Sequence, residues 1–199
     1  MENFAFLTDN WLIIAGIVAI LLIALIYNNL ISKKNRVEKS LSNIDAFLQQ
    51  RLDQMENLFI LLDNAFDHEA TVYAEVSRER TGFNQIKNMY QSNKTSPAGV
   101  VQADNAMSSF LRGARATFER YPDINANKTV EKVMTENVQI ETELNASRRQ
   151  YNSNVTLYRN AIQMFPNNMI AAIFRLTDKY ELYRADVEAR QAVRPTRRS

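Results

Sequence analysis

The pattern of apolar and polar residues divides the chain into one wholly apolar stretch and a series of amphipathic segments. From Trp11 to Ile26 no side chain is charged or polar, and YNNLI extends the segment to residue 31. A helix of this length can cross the roughly 30 Å hydrocarbon core of a bilayer. The pattern therefore predicts a transmembrane helix over residues 10–31. Its expected membrane-anchoring residues are Trp11, Ile14, Leu21, Leu25 and Tyr27.

Behind this stretch, apolar residues recur at intervals of three and four, which is the spacing of one helix face. No Gly or Pro lies between Gly16 and Gly82, so we expect the transmembrane helix to continue unbroken as a long helix to Tyr90. Further helices are expected over residues 100–120, 127–165 and 166–190, with breaks at residues 91–99 and 121–123. Strand-like alternation and hairpin signals do not occur. The predicted fold is all-α, an elongated antiparallel helical bundle.

Four parts follow in chain order. Residues 1–9 are expected to be a short extracytoplasmic N-terminus, 10–31 the transmembrane helix, 32–190 the helical bundle and 191–199 a basic disordered tail. Acidic residues precede the apolar stretch, and basic residues follow it at Lys33, Lys34, Arg36 and Lys39. The positive-inside rule then places the N-terminus outside and the bundle in the cytoplasm.

A cleaved secretory signal is the alternative reading of the apolar stretch. The first ten residues contain no Lys or Arg, and no small-residue cleavage site follows between Tyr27 and Lys34. We therefore expect a retained, single-pass anchor in contact with the lipid bilayer.

Charge and composition narrow the range of functions. A formal net charge of +2 argues against a nucleic-acid partner, because such binding rests on neutralising many phosphates. The absence of cysteine is compatible with a reducing compartment and excludes none. The basic tail, with Arg190, Arg194, Arg197 and Arg198, is read as solvated, with contact to anionic headgroups as the alternative.

Candidate catalytic and metal-binding residues are few. His68 is the only histidine, and its neighbours Asp67 and Glu69 point about 100° apart on a helix. A di-iron bundle would need a Glu-x-x-His motif on each of two helices, which one histidine cannot supply. We therefore expect no catalytic residue, metal or cofactor, and interpret the following carboxylates as a solvated acidic face: Glu131, Glu136, Glu141 and Glu143.

A segment rich in Arg, Tyr and Asn, RRQYNSNVTLYRN, begins at Arg148. Such side chains suit hydrogen bonding across helix interfaces, either inside one bundle or between subunits. Both readings stay open. The candidate subunit contacts are Asn28, Asn29, Arg148, Arg149, Tyr151, Tyr158 and Arg159.

Several phrases resemble the LemA family. They are YNNLISKKNRVEKSLSNIDAFLQQR at residues 27–51, the His-Glu pair at 68–69, FERYPDINANK at 118–128, and SRRQYNSNVTLYRNAIQMFPNNMIAAIF at 147–174. Two departures stand out. Glu56 replaces a proline that is frequent in the family, which predicts a straighter first helix, and Phe174-Arg175-Leu176 stands where the family often has Phe-Gly-Phe.

The resemblance implies a single-pass bacterial membrane protein with a helical-bundle domain and no known enzyme activity. Together with the residue patterns, it leads us to expect a membrane-anchored, non-enzymatic scaffold that self-associates as a homo-oligomer to organise or shape membrane. The alternative is an adaptor or sensor that presents its bundle to another membrane protein, such as a protease or signalling partner. A metal enzyme built on His68 is a third, weaker reading.

Overall fold

The computed structural model of the chain describes residues 10–66, 70–121, 124 and 127–183. The helices are α1 (Trp11–Phe66), α2 (Ala70–Asn93), α3 (Pro97–Phe118), α4 (Lys128–Gln163) and α5 (Asn167–Ile173). Within these described ranges there is no β-strand, which confirms the all-α prediction. The predicted transmembrane segment also continues into the following helix, as expected, because α1 passes residue 31 without a break.

The described residues fall into two compact units whose boundaries follow Ser40, Asn152 and Lys179. The first unit combines residues up to Ser40 with those from Ser153 to Lys179, and the second holds the rest. Helices α1 and α4 each contribute to both units. The predicted boundaries of anchor, bundle and tail stay predictions, and residues 191–199 lie outside the described part of the chain.

In the second unit, α2 runs antiparallel to the last part of α1. Arg80 pairs with Asp63, and farther along α2 the Tyr90 hydroxyl donates to Asp45 Oδ1 at 2.9 Å, so later residues of α2 meet earlier residues of α1. The prediction of one unbroken helix to Tyr90 is therefore wrong. The apolar stripe of α1 explains the reversal, since a straight helix would leave that stripe in water, whereas α2 covers it.

The core of the second unit includes the apolar stripes of α1, α2 and α3. The rings of Phe59, Phe83 and Phe110 lie 5.5 to 6.5 Å apart, within the range of favourable aromatic pairs. Other buried members include Leu48, Leu52, Met55, Leu58, Leu62, Val76, Ala103, Met107, Ala114 and Phe118. The periodicity of three and four in the sequence therefore corresponds to side chains buried against one another.

The break predicted over residues 91–99 is present but shorter, lying between Asn93 and Pro97. Ser96 caps α3, because its Oγ accepts a hydrogen bond from the Gly99 backbone N–H at 3.0 Å, and Pro97 occupies the first turn. A Cβ at Gly99 would collide with the backbone carbonyl of Asn93. The tight turn between α2 and α3 therefore requires glycine at this position.

The helix predicted over residues 166–190 is much shorter in the structure, where α5 ends at Ile173. Arg175 has a φ of 52°, in the left-handed region. The Leu176 N–H then donates to Ala171 O at 2.8 Å, and the Arg175 N–H donates to Ala172 O at 3.2 Å. This pair of bonds is the Schellman pattern, which satisfies the last carbonyls and stops the helix. The chain continues without regular structure to residue 183.

We expect Arg175→Gly to stabilise the protein by about 0.5–1 kcal/mol, because glycine adopts a positive φ without the steric cost that arginine bears. Chemical unfolding of the full chain in mild detergent, followed by circular dichroism, measures the change. Arg175→Ala is the matched control, since it removes the same side chain but keeps a Cβ. A glycine variant no more stable than the alanine variant would contradict the strain argument.

Candidate functional site

The apolar stretch of α1 is exposed in the first unit. An 18-residue window of this helix has none of its residues buried in the protein, and its length and composition make it a candidate membrane span. The predicted anchor residues Trp11, Ile14, Leu21 and Leu25 all lie on its exposed surface. Tyr27 is half-buried, with its ring 4.5 Å from that of Phe174. So large a continuous apolar surface is unfavourable in water and favourable in lipid.

The predicted topology charges occupy the helical turns that follow the candidate span. Lys33 and Lys34 are half-buried, whereas Arg36 and Lys39 are exposed. Lys34 Nζ lies 3.7 Å from Glu38 Oε1, a surface pair of small energetic weight. Exposed basic groups next to a span are those to which the positive-inside rule refers. The orientation itself stays a prediction.

In the second unit, four charged side chains from three helices meet, two of them buried and two partly exposed. They are Arg51 on α1, Asp104 on α3, and Glu141 and Arg148 on α4. The side chain of Asp104 is fully buried, and that of Arg51 is 2% exposed. We call these four residues the buried charge network. Two positive and two negative groups make it formally neutral.

Arg148 is the centre of this network. Its Nε and one terminal nitrogen each donate to a different carboxylate oxygen of Asp104 at 2.8 Å, which is the two-bond geometry that suits a guanidinium. Its other terminal nitrogen donates to Glu141 Oε1 at 2.9 Å. Glu141 also pairs with Arg51, which in turn donates to Ser108 Oγ at 3.1 Å. Each carboxylate therefore accepts from at least one arginine.

The network changes the proton affinity of Glu141. Burial alone would raise the pKa of this carboxyl group, but attraction to and hydrogen bonds from Arg51 and Arg148 outweigh burial and hold its pKa below the usual 4.5. Burial would likewise lower the pKa of Arg148, yet its bonds to Asp104 and its attraction to Glu141 raise it. The expectation that Glu141 belongs to a solvated acidic face is therefore wrong.

An aromatic layer lies against the network. The Tyr183 ring packs edge-to-face on Tyr151 at 5.6 Å, and the Arg148 guanidinium lies 5.6 Å from the centre of the Tyr183 ring. Asn152 fixes this arrangement, because its side-chain amide donates to Tyr183 O at 2.8 Å and accepts from Tyr183 N at 2.9 Å. Burial, reinforced by the charge of Asp104, raises the pKa of Tyr183.

The predicted subunit contacts fall into two groups. Arg148, Tyr151 and Tyr158 are engaged within one chain, and Arg159 pairs with Asp178 of the same chain. The Tyr158 hydroxyl donates to Thr177 O at 3.4 Å, and burial raises its pKa. The exposed candidates are Asn28, Asn29 and Arg149. Contact between subunits stays a prediction for the whole set.

Sequence reasoning missed Arg51, Asp104 and Ser108. A signal was present, because each stands at a core-facing position of its helix: Arg51 lies three residues after buried Leu48, and Asp104 lies three before buried Met107. A polar residue inside an apolar stripe indicates a buried partner. Which partner it meets depends on tertiary packing.

Metal chemistry has no geometric support in the described ranges. No group of three or more His, Asp or Glu side chains there converges on a point that could hold an ion. The prediction about His68 lies outside the described residues. The carboxylates of the buried charge network are directed at arginines and a serine, an arrangement that joins helices.

We expect Asp104→Asn to lower the free energy of unfolding by about 3 kcal/mol, because it leaves Arg148 and buried Arg51 with only the partly exposed carboxylate of Glu141 between them. Urea unfolding of the full chain in mild detergent measures the loss. Glu143→Gln is the matched control. It removes one exposed carboxylate from α4 and should cost less than about 0.5 kcal/mol. Equal losses from the two variants would show that the network has no special weight.

Stability should also depend on acid pH through Glu141. Because its pKa is lower in the folded than in the unfolded protein, the ionised group contributes stability that is complete above about pH 4.5 and is lost as the pH falls through the folded pKa. Glu141→Gln should weaken this part of the pH dependence and lower stability at neutral pH. Unfolding curves from pH 7 to pH 3 provide the measurement, and an unchanged pH profile in the variant would contradict the assignment.

Comparison with known proteins identifies a family for this chain. Residues 40–195 match the model of the LemA family. A protein called Protein LemA from Metamycoplasma hominis is 26% identical over 169 residues, which is 81% of this chain and 73% of that protein. The region matched by the family model begins beyond the apolar stretch and contains all four members of the buried charge network. Because the match covers most of its length, the chain belongs to the LemA family.

Proposed function

We propose that this chain is a membrane-anchored, non-enzymatic scaffold whose helical bundle self-associates and thereby organises or shapes membrane. The observation that carries the proposal is the exposed apolar window of α1, none of whose residues is buried in the described part of the chain. Lipid supplies the solvent that such a helix needs. The basic residues after the candidate span favour an N-terminus outside and a bundle in the cytoplasm. The LemA relative from Metamycoplasma hominis favours a bacterial cell membrane.

The non-enzymatic part of the proposal is supported by how the buried charges are used. Asp104 and Glu141 are neutralised by Arg51 and Arg148, and the lowered pKa of Glu141 makes it a poor proton acceptor at neutral pH. A general base is more effective when its pKa lies near the working pH. These side chains therefore suit a structural role better than a catalytic one.

Self-association is supported by polar residues at the edge of the span. Asn28 and Asn29 are exposed on α1 directly after Tyr27. Asparagine side chains near the apolar region hydrogen-bond across helices and thereby favour association of neighbouring spans. Exposed Arg149 on α4 is a second candidate contact. Many anchors placed side by side would impose order on the surrounding membrane.

We expect the full chain to be oligomeric in mild detergent and in lipid nanodiscs, and the double variant Asn28→Ala/Asn29→Ala to shift the population toward monomer. Light scattering over a concentration series, with cryo-EM of the nanodisc sample, reports the stoichiometry. The control is Asn43→Ala/Asn57→Ala, which changes two exposed asparagines of the same helix outside the apolar stretch. A wild-type chain that is monomeric at every concentration would refute the scaffold proposal.

An adaptor function is the second candidate, and a groove on the second unit favours it. The groove, about 370 Å³ in volume, lies between α3 and α4 and is lined by Phe118, Val130, Met134 and half-exposed Val138, with Arg115 and Glu119 among its polar residues. An apolar floor with charged edges suits a segment of another protein. Crosslinking in native membranes separates the two functions, because a scaffold should capture chiefly itself and an adaptor a different membrane protein.

A further inference from the structure

A second exposed apolar surface lies at the end of α4 and on α5. It consists of Met164, Phe165, Met169, Ile173 and Phe174, which we call the 164–174 patch. Phe165 is 78% exposed and Ile173 69% exposed. No charged residue occurs between Arg159 and Arg175. A cluster of large apolar side chains without a charge is unusual on a surface that faces only water.

This patch is held beside the end of the candidate span. Leu30 of α1 is fully buried, in a cluster with Ala161, Ile170 and Ala171. Ile170 and Ala171 thus face α1, while Met169 and Ile173 of the same short helix are exposed. On the other side of the contact, the Phe174 ring lies 4.5 Å from that of Tyr27. The patch is therefore level with Tyr27 to Leu30.

The length of the candidate span indicates how deep in a bilayer the patch would lie. From Trp11 to Leu30, α1 rises about 28 Å, which is close to the roughly 30 Å thickness of a hydrocarbon core. With Trp11 at one boundary, Tyr27 to Leu30 lies at the other. Tryptophan and tyrosine are both enriched at such boundaries. The exposed side chains of the patch then meet the region between acyl chains and headgroups.

We propose that the 164–174 patch inserts into the lipid leaflet at the C-terminal end of the span, as a second membrane contact beside the transmembrane helix. The proposal rests on the membrane anchoring proposed above. Lipid is the favoured occupant because the patch is continuous with the apolar surface of the span, is free of charge, and is followed at once by Arg175, a cation suited to headgroup phosphates.

Tryptophan fluorescence can test the insertion, because the chain contains one tryptophan. In Trp11→Phe/Phe165→Trp, reconstituted as the full chain in liposomes, the reporter lies in the patch. Lipids brominated near the headgroup end of their acyl chains should quench about half of its emission. Bromine near the centre of the bilayer should quench it less. The wild-type chain, with Trp11 as reporter, tests the anchoring independently.

Trp11→Phe/Ser153→Trp is the matched control. Ser153 is exposed on α4 in the same unit, about 15 Å along the helix from the patch. Its neighbour Asn154 donates to the backbone oxygen of Arg36, beyond the end of the span. A tryptophan at residue 153 should therefore keep its emission in brominated lipid.

The outcomes separate the two proposals. Quenching of Trp11 without quenching at residue 165 overturns the insertion and leaves the anchoring in place, whereas absence of quenching at both positions overturns both. If residue 165 becomes shielded only at high protein concentration, the patch is covered by a second copy of the chain. That result would also overturn the insertion. Because the chain has no cysteine, spin-labelled Ile173→Cys gives a second depth measurement if the tryptophan variant folds poorly. Greater accessibility of that label to a water-soluble relaxant than to oxygen would refute insertion.

Discussion

The second unit depends on one constraint: the full positive charge of Arg51 is buried within the apolar stripe of α1. An isolated charge at such a site is very costly, so packing must supply carboxylates. Asp104 and Glu141 supply them from two other helices, and Arg148 balances the second negative charge. Turning any of these helices by one residue would swing its charged group by about 100° and break the pairing. Apolar side chains tolerate such shifts better. The network therefore adds to the apolar packing a requirement for one relative orientation of these helices.

The first unit solves a different problem with the opposite chemistry. Its part of α1 presents apolar side chains outward, and one buried cluster behind them contains Leu30, Ile170 and Ala171, which are all apolar. Both units thus contain a stretch of α1. The stretch in the second unit carries a buried charge, whereas the stretch in the first unit has an apolar surface that lipid would cover. The match to the LemA family begins at residue 40, after the apolar stretch, and covers residues of both units.

Helix content could be predicted from the sequence because a spacing of three and four is a local signal. The starts of α3 and α4 could also be predicted approximately, because Pro97 and Asn127 mark them. The reversal between α1 and α2 could not, since no Gly or Pro lies between Gly16 and Gly82. It arises because α1 needs a partner for its stripe. The buried charge network was also not predicted, because it too depends on packing between helices. A helix face that is apolar on average can still contain one arginine or aspartate. Whether Tyr151 or Tyr158 packs within the chain is decided by contacts with residues more than ten positions away.

Arg175 combines local backbone strain at the end of α5 with a place directly after the 164–174 patch. A left-handed conformation costs a non-glycine residue on the order of 1 kcal/mol, and glycine would relieve that cost. Yet Arg175 is the first charge after a run of uncharged residues, at the level where the 164–174 patch would meet headgroups. A cation close to an anionic membrane surface gains about 1 kcal/mol, which is comparable with the strain. In water only the strain free energy of the arginine remains. At an anionic membrane surface the strain and the electrostatic attraction would nearly cancel. If the patch inserts as proposed, a headgroup contact would therefore offset the strain that Arg175 bears at this helix end.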